Sequence, residues 1–195
     1  MNRMASFLDR SFAFIIDLLI ISLLISVICS GISNDTELTT RISELETKLV
    51  SGEVMSDEIM EEYTDLIYDS QKSMILTSSI NIALYFAYFV VFQFMNNGQT
   101  FGKKLLKLKI VSSDDGNVSM LRMLIRYLFI VNIFSGLFNI ILLFVLPKNI
   151  YLMTYLSLTS IESIFMIMSL LFVLYRKDKR GLHDLMAKTK VIKEV

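Results

Sequence analysis

The chain has 195 residues, 54% of them hydrophobic and only 19% charged, which excludes the make-up of an ordinary soluble domain. Nineteen basic and nineteen acidic side chains cancel, so no acidic or basic partner follows from net charge, and no nucleic-acid partner is expected. The single cysteine, Cys29, excludes an internal disulfide and a multi-cysteine zinc site. What remains informative is clumping, because four long apolar runs are separated by short charged stretches, the pattern imposed by a bilayer that needs about 20 apolar residues per crossing.

The first run, about residues 7–30, has Arg3 and Arg10 near its start and resembles a signal peptide in outline. Asp17 inside the apolar region and Ile28 before Cys29 oppose cleavage, so the run reads as a retained span. The next segment, 31–73, contains a strongly acidic stretch, since residues 35–69 carry eleven acidic and two basic side chains. Leu38, Ile42, Leu45 and Leu49 recur at helical spacing, as do Ile59, Tyr63, Leu66 and Ile67. The pattern predicts a helical hairpin broken near Ser51 and Gly52. Its two apolar stripes would cover each other or, alternatively, meet a partner.

The second span is expected at 74–95 and is followed by Gln99 to Leu108, a short amphipathic stretch. There Lys103, Lys104 and Lys107 would face anionic lipid headgroups at the membrane surface. Lys107 to Val111 alternates like a strand and leads into a turn at Ser112, Ser113, Asp114, Asp115 and Gly116, while Thr189 to Lys193 alternates similarly. The third and fourth spans are expected at 121–146 and 150–175. Pro147, the only proline, provides the turn between them. Twelve Lys and Arg lie in 96–122 and 176–195, which places both termini in the cytoplasm and the 31–73 insertion outside. The fold class is therefore all-α: a four-transmembrane-helix bundle with an extracytoplasmic helical hairpin and a short cytoplasmic interfacial segment.

Ionisable residues inside spans are the candidates for function. Arg10 and Asp17 stand two turns apart on one face of the first helix, about 10 Å along the axis, too far for a direct bridge. Arg10 can reach the interface, with Asp184 as a candidate partner, whereas Asp17 is too short to do so. A charged Asp at that depth costs roughly 2.5–3.5 kcal/mol on insertion scales and needs a partner, and Arg126 matches it best in depth. Glu162 sits mid-span on a face with Tyr155, Thr159, Ser163 and Ser169, and could exchange protons. Polar faces also run along the third span, at Asn132, Ser135, Gly136 and Asn139, and along the second, at Ser78, Asn81, Tyr85 and Tyr88. Helix packing explains most of these. With one histidine, His183, no metal site, cofactor or nucleophile–base–orienter set can be picked out, so no enzymatic activity is expected.

With those residues in view, the chain resembles the RDD family of small bacterial membrane proteins, named for one arginine and two aspartates. Arg10 and Asp17 stand in "DRSFAFIIDLLI" and Asp184 in "RGLHDLMAKTKVI", while "NNGQTFGKKLLKLKIV" and Arg126 in "LRMLIRYL" are similar to the family's middle region. Ala187, Lys188 and Thr189 depart from the family's frequent Ala-Gly-Thr, and the acidic hairpin is an elaboration. The resemblance implies a single membrane domain over residues 1–195, a plasma-membrane location and transport of an unspecified ligand. Together with the intramembrane residues it leads to two expectations. One is a transporter exchanging small cations for protons through Asp17 and Glu162, tuned by Arg10 and Arg126, working as a homo-oligomer because four helices enclose little space. The other is a scaffold or accessory subunit that binds a partner through the outer hairpin.

Overall fold

The computed structural model describes residues 3–32, 36–51, 56–114 and 116–194. It is mainly helical, but the all-α expectation needs correction, because three short strands form an antiparallel sheet in the order β1-β3-β2 among the described residues. They are β1, Arg3–Met4; β2, Leu108–Ser112; and β3, Thr189–Lys193. The alternation noted in the sequence accounts for the two longer strands. Ile110 pairs with Val191 and Ser112 with Thr189, and Leu108, Ile110, Thr189 and Val191 are buried on one face. Arg3 and Met4 extend β3 from its other side, opposite Lys193 and Ile192.

Helix α1, Phe7–Cys29, starts on a capping box in which the Ser6 hydroxyl accepts from the Asp9 amide and the Asp9 carboxylate accepts from the Ser6 amide. Asp9 also pairs with Lys193 at 2.7 Å, fastening the helix start to β3. The largely apolar remainder buries only Ala13, Asp17 and Ile21, one narrow face at four-residue spacing. Leu19 and Leu23 stay more than 60% exposed, as they would against lipid tails.

Helices α2, Thr36–Val50, and α3, Asp57–Ser73, pack on each other, with Leu45 buried and Arg41 bridging to Glu62 at 2.9 Å. Gly52, expected at the break between them, and Asp115, expected in the turn after β2, lie outside the described residues. Helix α3 also packs on later helices. The Tyr68 hydroxyl donates to the Leu143 carbonyl at 2.8 Å, its ring meets Tyr151 edge-on, and Lys148 reaches Asp69 at 3.1 Å.

Helix α4, Ile75–Met95, is π-helical over Ala87–Phe92. The wider turn lets three successive side chains, Tyr88, Phe89 and Val90, face the interior together. Next come α5, Phe101–Leu105, which leads into β2, and α6, Met120–Tyr127. The expected single span 121–146 is corrected here: the helix stops at Tyr127, and α7, Ile133–Val145, begins only after a turn. Asn132 takes a left-handed conformation (φ 55°), which asparagine tolerates and which no continuous α-helix can hold. Pro147 then caps α8, Lys148–Tyr175, and a last short helix, α9, Leu182–Met186, precedes β3. Among the described residues, α1, α4 and α8 are long and apolar enough to cross a membrane, whereas α7, at 13 residues, is shorter.

Candidate functional site

Asp17 is completely buried and has a full set of donors. Its carboxylate accepts from the Tyr88 hydroxyl at 2.7 Å, the Thr100 hydroxyl at 2.5 Å and the Gly102 amide at 2.8 Å, with the Lys103 ammonium 3.8 Å away. Three segments converge on it: the π-turn of α4 supplies Tyr88, the cap of α5 supplies Thr100, and the first turn of α5 supplies the amide. Thr100 serves twice, since its hydroxyl also accepts from the Lys103 amide as the helix cap. Gly102 is what permits the approach. A Cβ there would overlap the Ala13 carbonyl oxygen of α1 and stand 2.9 Å from an Asp17 oxygen.

Arg126 does not pair with Asp17. Its guanidinium forms a close ion pair with Asp184 and donates to the Thr189 hydroxyl at 3.0 Å. Arg10 meets the other oxygen of the same carboxylate at 2.7 Å, and that oxygen also accepts from the Gly181 amide at 3.1 Å, fixing the start of α9. Asp184 thus joins α1, α6, α9 and β3 at one buried point. Lys103 belongs to this layer too, which corrects its assignment to lipid headgroups. It is 7% exposed, and its ammonium donates to the Tyr127 hydroxyl at 2.8 Å, whereas Lys104 and Lys107 are exposed. The reason is position: Lys103 lies on the α5 face turned towards Asp17, and a carboxylate there draws the cation inwards.

The structure also brings Ser169, fourteen residues upstream, to the neighbouring pair His183 and Asp184. The Ser169 hydroxyl is 2.5 Å from His183 Nδ1, and His183 Nε2 is 3.6 Å from Asp184. General-base catalysis would require an imidazolium, and this site opposes one. Burial, and then the charges of Arg126, Arg10 and Lys103, hold the imidazole well below its usual value. Asp184 could favour the cation but is already shared by two guanidiniums.

The linkage has a definite sign. An unfolded chain takes up a proton on His183 near pH 6.5 and the folded chain does not, so this contribution to stability is complete above that pH and lost below it. The expected decline is about 1.4 kcal/mol per pH unit below about 6.5. Thermal midpoints in detergent between pH 7.5 and 5.5 measure it. His183→Gln should flatten the profile, and equal slopes for the two proteins would refute the assignment.

Glu162 stands apart from these contacts. It is 5% exposed in the middle of α8, beside Ser135 of α7, and its Oε1 has no hydrogen-bond partner. Asn139, on the same face of α7 as Ser135, is committed to packing, since it donates to Gln71 at 3.0 Å and accepts from the Tyr151 hydroxyl at 2.5 Å. Among the described residues no group of three or more His, Cys, Asp or Glu is arranged to hold a metal ion. Thr100, Gly102 and Thr189 were not singled out as site residues from sequence. The usable signal was local: a threonine three residues before Lys103, in helix-capping position, and a glycine in the first turn of an amphipathic segment.

No curated protein and no solved structure matches the chain. The sequence profile of the RDD family, however, matches residues 4–188, a range that includes Arg10, Asp17, Arg126 and Asp184. The chain is a membrane protein with apolar helices and belongs to the RDD family.

Proposed function

We propose that this protein is a plasma-membrane transporter that exchanges a small cation for protons, and that Glu162 is the carboxylate that binds them in turn. The single observation that supports this is the unmade hydrogen bond of Glu162 Oε1 at a buried position within a long apolar helix. An intramembrane carboxylate is costly, and one kept without full satisfaction has capacity left for an incoming proton or ion. Asp17 is reassigned from ion binding to positioning, because its donors leave it little such capacity.

In this proposal both termini are cytoplasmic, the broken α6–α7 segment completes a fourth crossing, and α2 and α3 form an extracytoplasmic hairpin. Lys104 and Lys107 lie at anionic headgroups on the inner surface. The protein has no enzymatic activity and takes no nucleic-acid partner. A homo-oligomer would give the narrow bundle an enclosed path.

Glu162→Gln in proteoliposomes is the test. It is expected to abolish cation-driven pH change while leaving thermal stability equal or higher, since an incompletely paired buried carboxyl is lost. Unchanged flux would overturn the proposal. One observation favours the alternative of a scaffold: Arg10, Asp17 and Asp184 are all engaged in holding elements together. On that reading, crosslinking from the outer hairpin would capture a different protein, and deletion of residues 35–69 would lose it.

A further inference from the structure

A cavity of about 110 Å³ lies beside the Asp184 node, between the first turns of α1, the last turns of α8 and the segment after α6, with Leu108 and Val191 of the sheet among its lining. Most of its wall is apolar, with Phe14, Phe129, Phe165 and Met166 in it, yet Arg10, Lys103 and Arg126 also line it. The two guanidiniums are incompletely satisfied. Arg10 Nε and Nη2 and Arg126 Nε are buried without a hydrogen-bond partner, and Arg126 as a whole is 4% exposed. Charge is unbalanced in the same direction: Asp17 and Asp184 are the carboxylates that pair with these three cations, Asp178, which also acts on Arg10, is already shared by Arg176 and Arg180, and His183 is neutral. Orphaned cationic donors beside an apolar chamber call for a ligand with an anionic head and a hydrocarbon chain.

Depth identifies the source of that ligand. Arg10 lies within one turn of the start of α1, and Ser169, also in the wall, lies within two turns of the end of α8, roughly 5 and 9 Å from those helix ends. A phosphate at the membrane surface sits at this level, with its acyl chain running inwards. The wall is also open on one side, as Leu170 is 41% exposed. The geometry points to a specific site for one anionic bilayer phospholipid, its phosphate between Arg10 and Arg126 and the start of one acyl chain against Phe129, Phe165 and Met166.

Native mass spectrometry of the full chain in nonionic detergent, titrated with phosphatidylglycerol or phosphatidylcholine, tests the site. One phosphatidylglycerol is expected to bind about tenfold or more tightly than phosphatidylcholine. Arg10→Lys keeps a cation for Asp184 but removes the two free donors, and should erase most of that preference. Met166→Trp fills the chamber without touching a charge, and should abolish retention of either lipid at unchanged thermal midpoint. Equal binding of the two lipids by the native protein, or full occupancy in Met166→Trp, would overturn the site. Neither readout depends on flux or on Glu162, so failure here leaves the transport proposal standing. If a soluble long-chain carboxylate competes at lower concentration than phosphatidylglycerol, the bilayer is the wrong source and the inference fails in that form.

Discussion

Replacing Asp184 by alanine is expected to cost about 3–5 kcal/mol of stability, enough to prevent accumulation of the folded protein in the membrane. The reason is asymmetry. Two buried charges that share a counterion gain little over an apolar core, but removing the counterion alone leaves both without compensation. Here the side chain lost is fully buried, and those left behind are Arg10 at 12% and Arg126 at 5% side-chain exposure. The Gly181 amide loses its acceptor as well, and with it the start of α9. Asp184→Asn, which keeps the shape and part of the hydrogen bonding, should recover only a minor share. Asp178, which pairs with Arg176 and Arg180 near the surface, provides the contrast. Its alanine variant should scarcely move the midpoint, because exposed pairs contribute little. Accumulation of the three variants in the membrane, with thermal unfolding of those that can be purified, measures the effect, and an Asp184→Ala protein as abundant and as stable as Asp178→Ala would show that the node is not what joins these elements.

The second large effect is expected from the smallest change, Gly102→Ala. An added methyl group would meet the backbone carbonyl of Ala13 and the Asp17 carboxylate, neither of which can rotate away. Helix α5 would have to lift from α1, breaking the Gly102 amide bond to Asp17 and loosening Thr100 and Tyr88 from it. Overpacking of this kind typically costs about 1–3 kcal/mol, and the lost buried contacts place this site at or above the upper end. Gly31→Ala is the matched control, since a Cβ there meets nothing within 4 Å. Should the two variants melt together, the close approach of α5 to α1 is not real.

Much of the frame could be read from sequence because lipid imposes a simple rule. Long apolar runs account for α1, α4 and α8, and Pro147 separates α7 from α8, although α8 starts at Lys148, two residues before the expected Ile150. The third run failed for a physical reason: hydropathy averages over side chains, whereas the break depends on the backbone of Asn132. The strands could be recognised from alternation in β2 and β3, but β1 is two residues long and is defined by its pairing alone.

At the site, depth was a poor guide to partnership. Asp17 and Arg126 looked matched, yet pairing is decided by which segments fold back. The chain after α8 returns to bring Asp184 to Arg126, while α5 brings Thr100 and Gly102 to Asp17. Lys103 was misplaced for a related reason, since an amphipathic pattern shows that two faces exist without showing which lysine meets a buried acid.

The Asp184 node also makes the fold depend on the last part of the chain. Arg10 precedes its carboxylate partner by 174 residues, and Arg126 likewise lies well before it. Both arginines therefore precede their neutralising group along the chain, and α1 and α4 lie far upstream of the closing latch. A chain without α9 and β3 would leave both guanidiniums unpaired and β1 and β2 unjoined, because β3 is the strand between them. The segment after α8 is thus what fastens a set of apolar helices into a closed molecule.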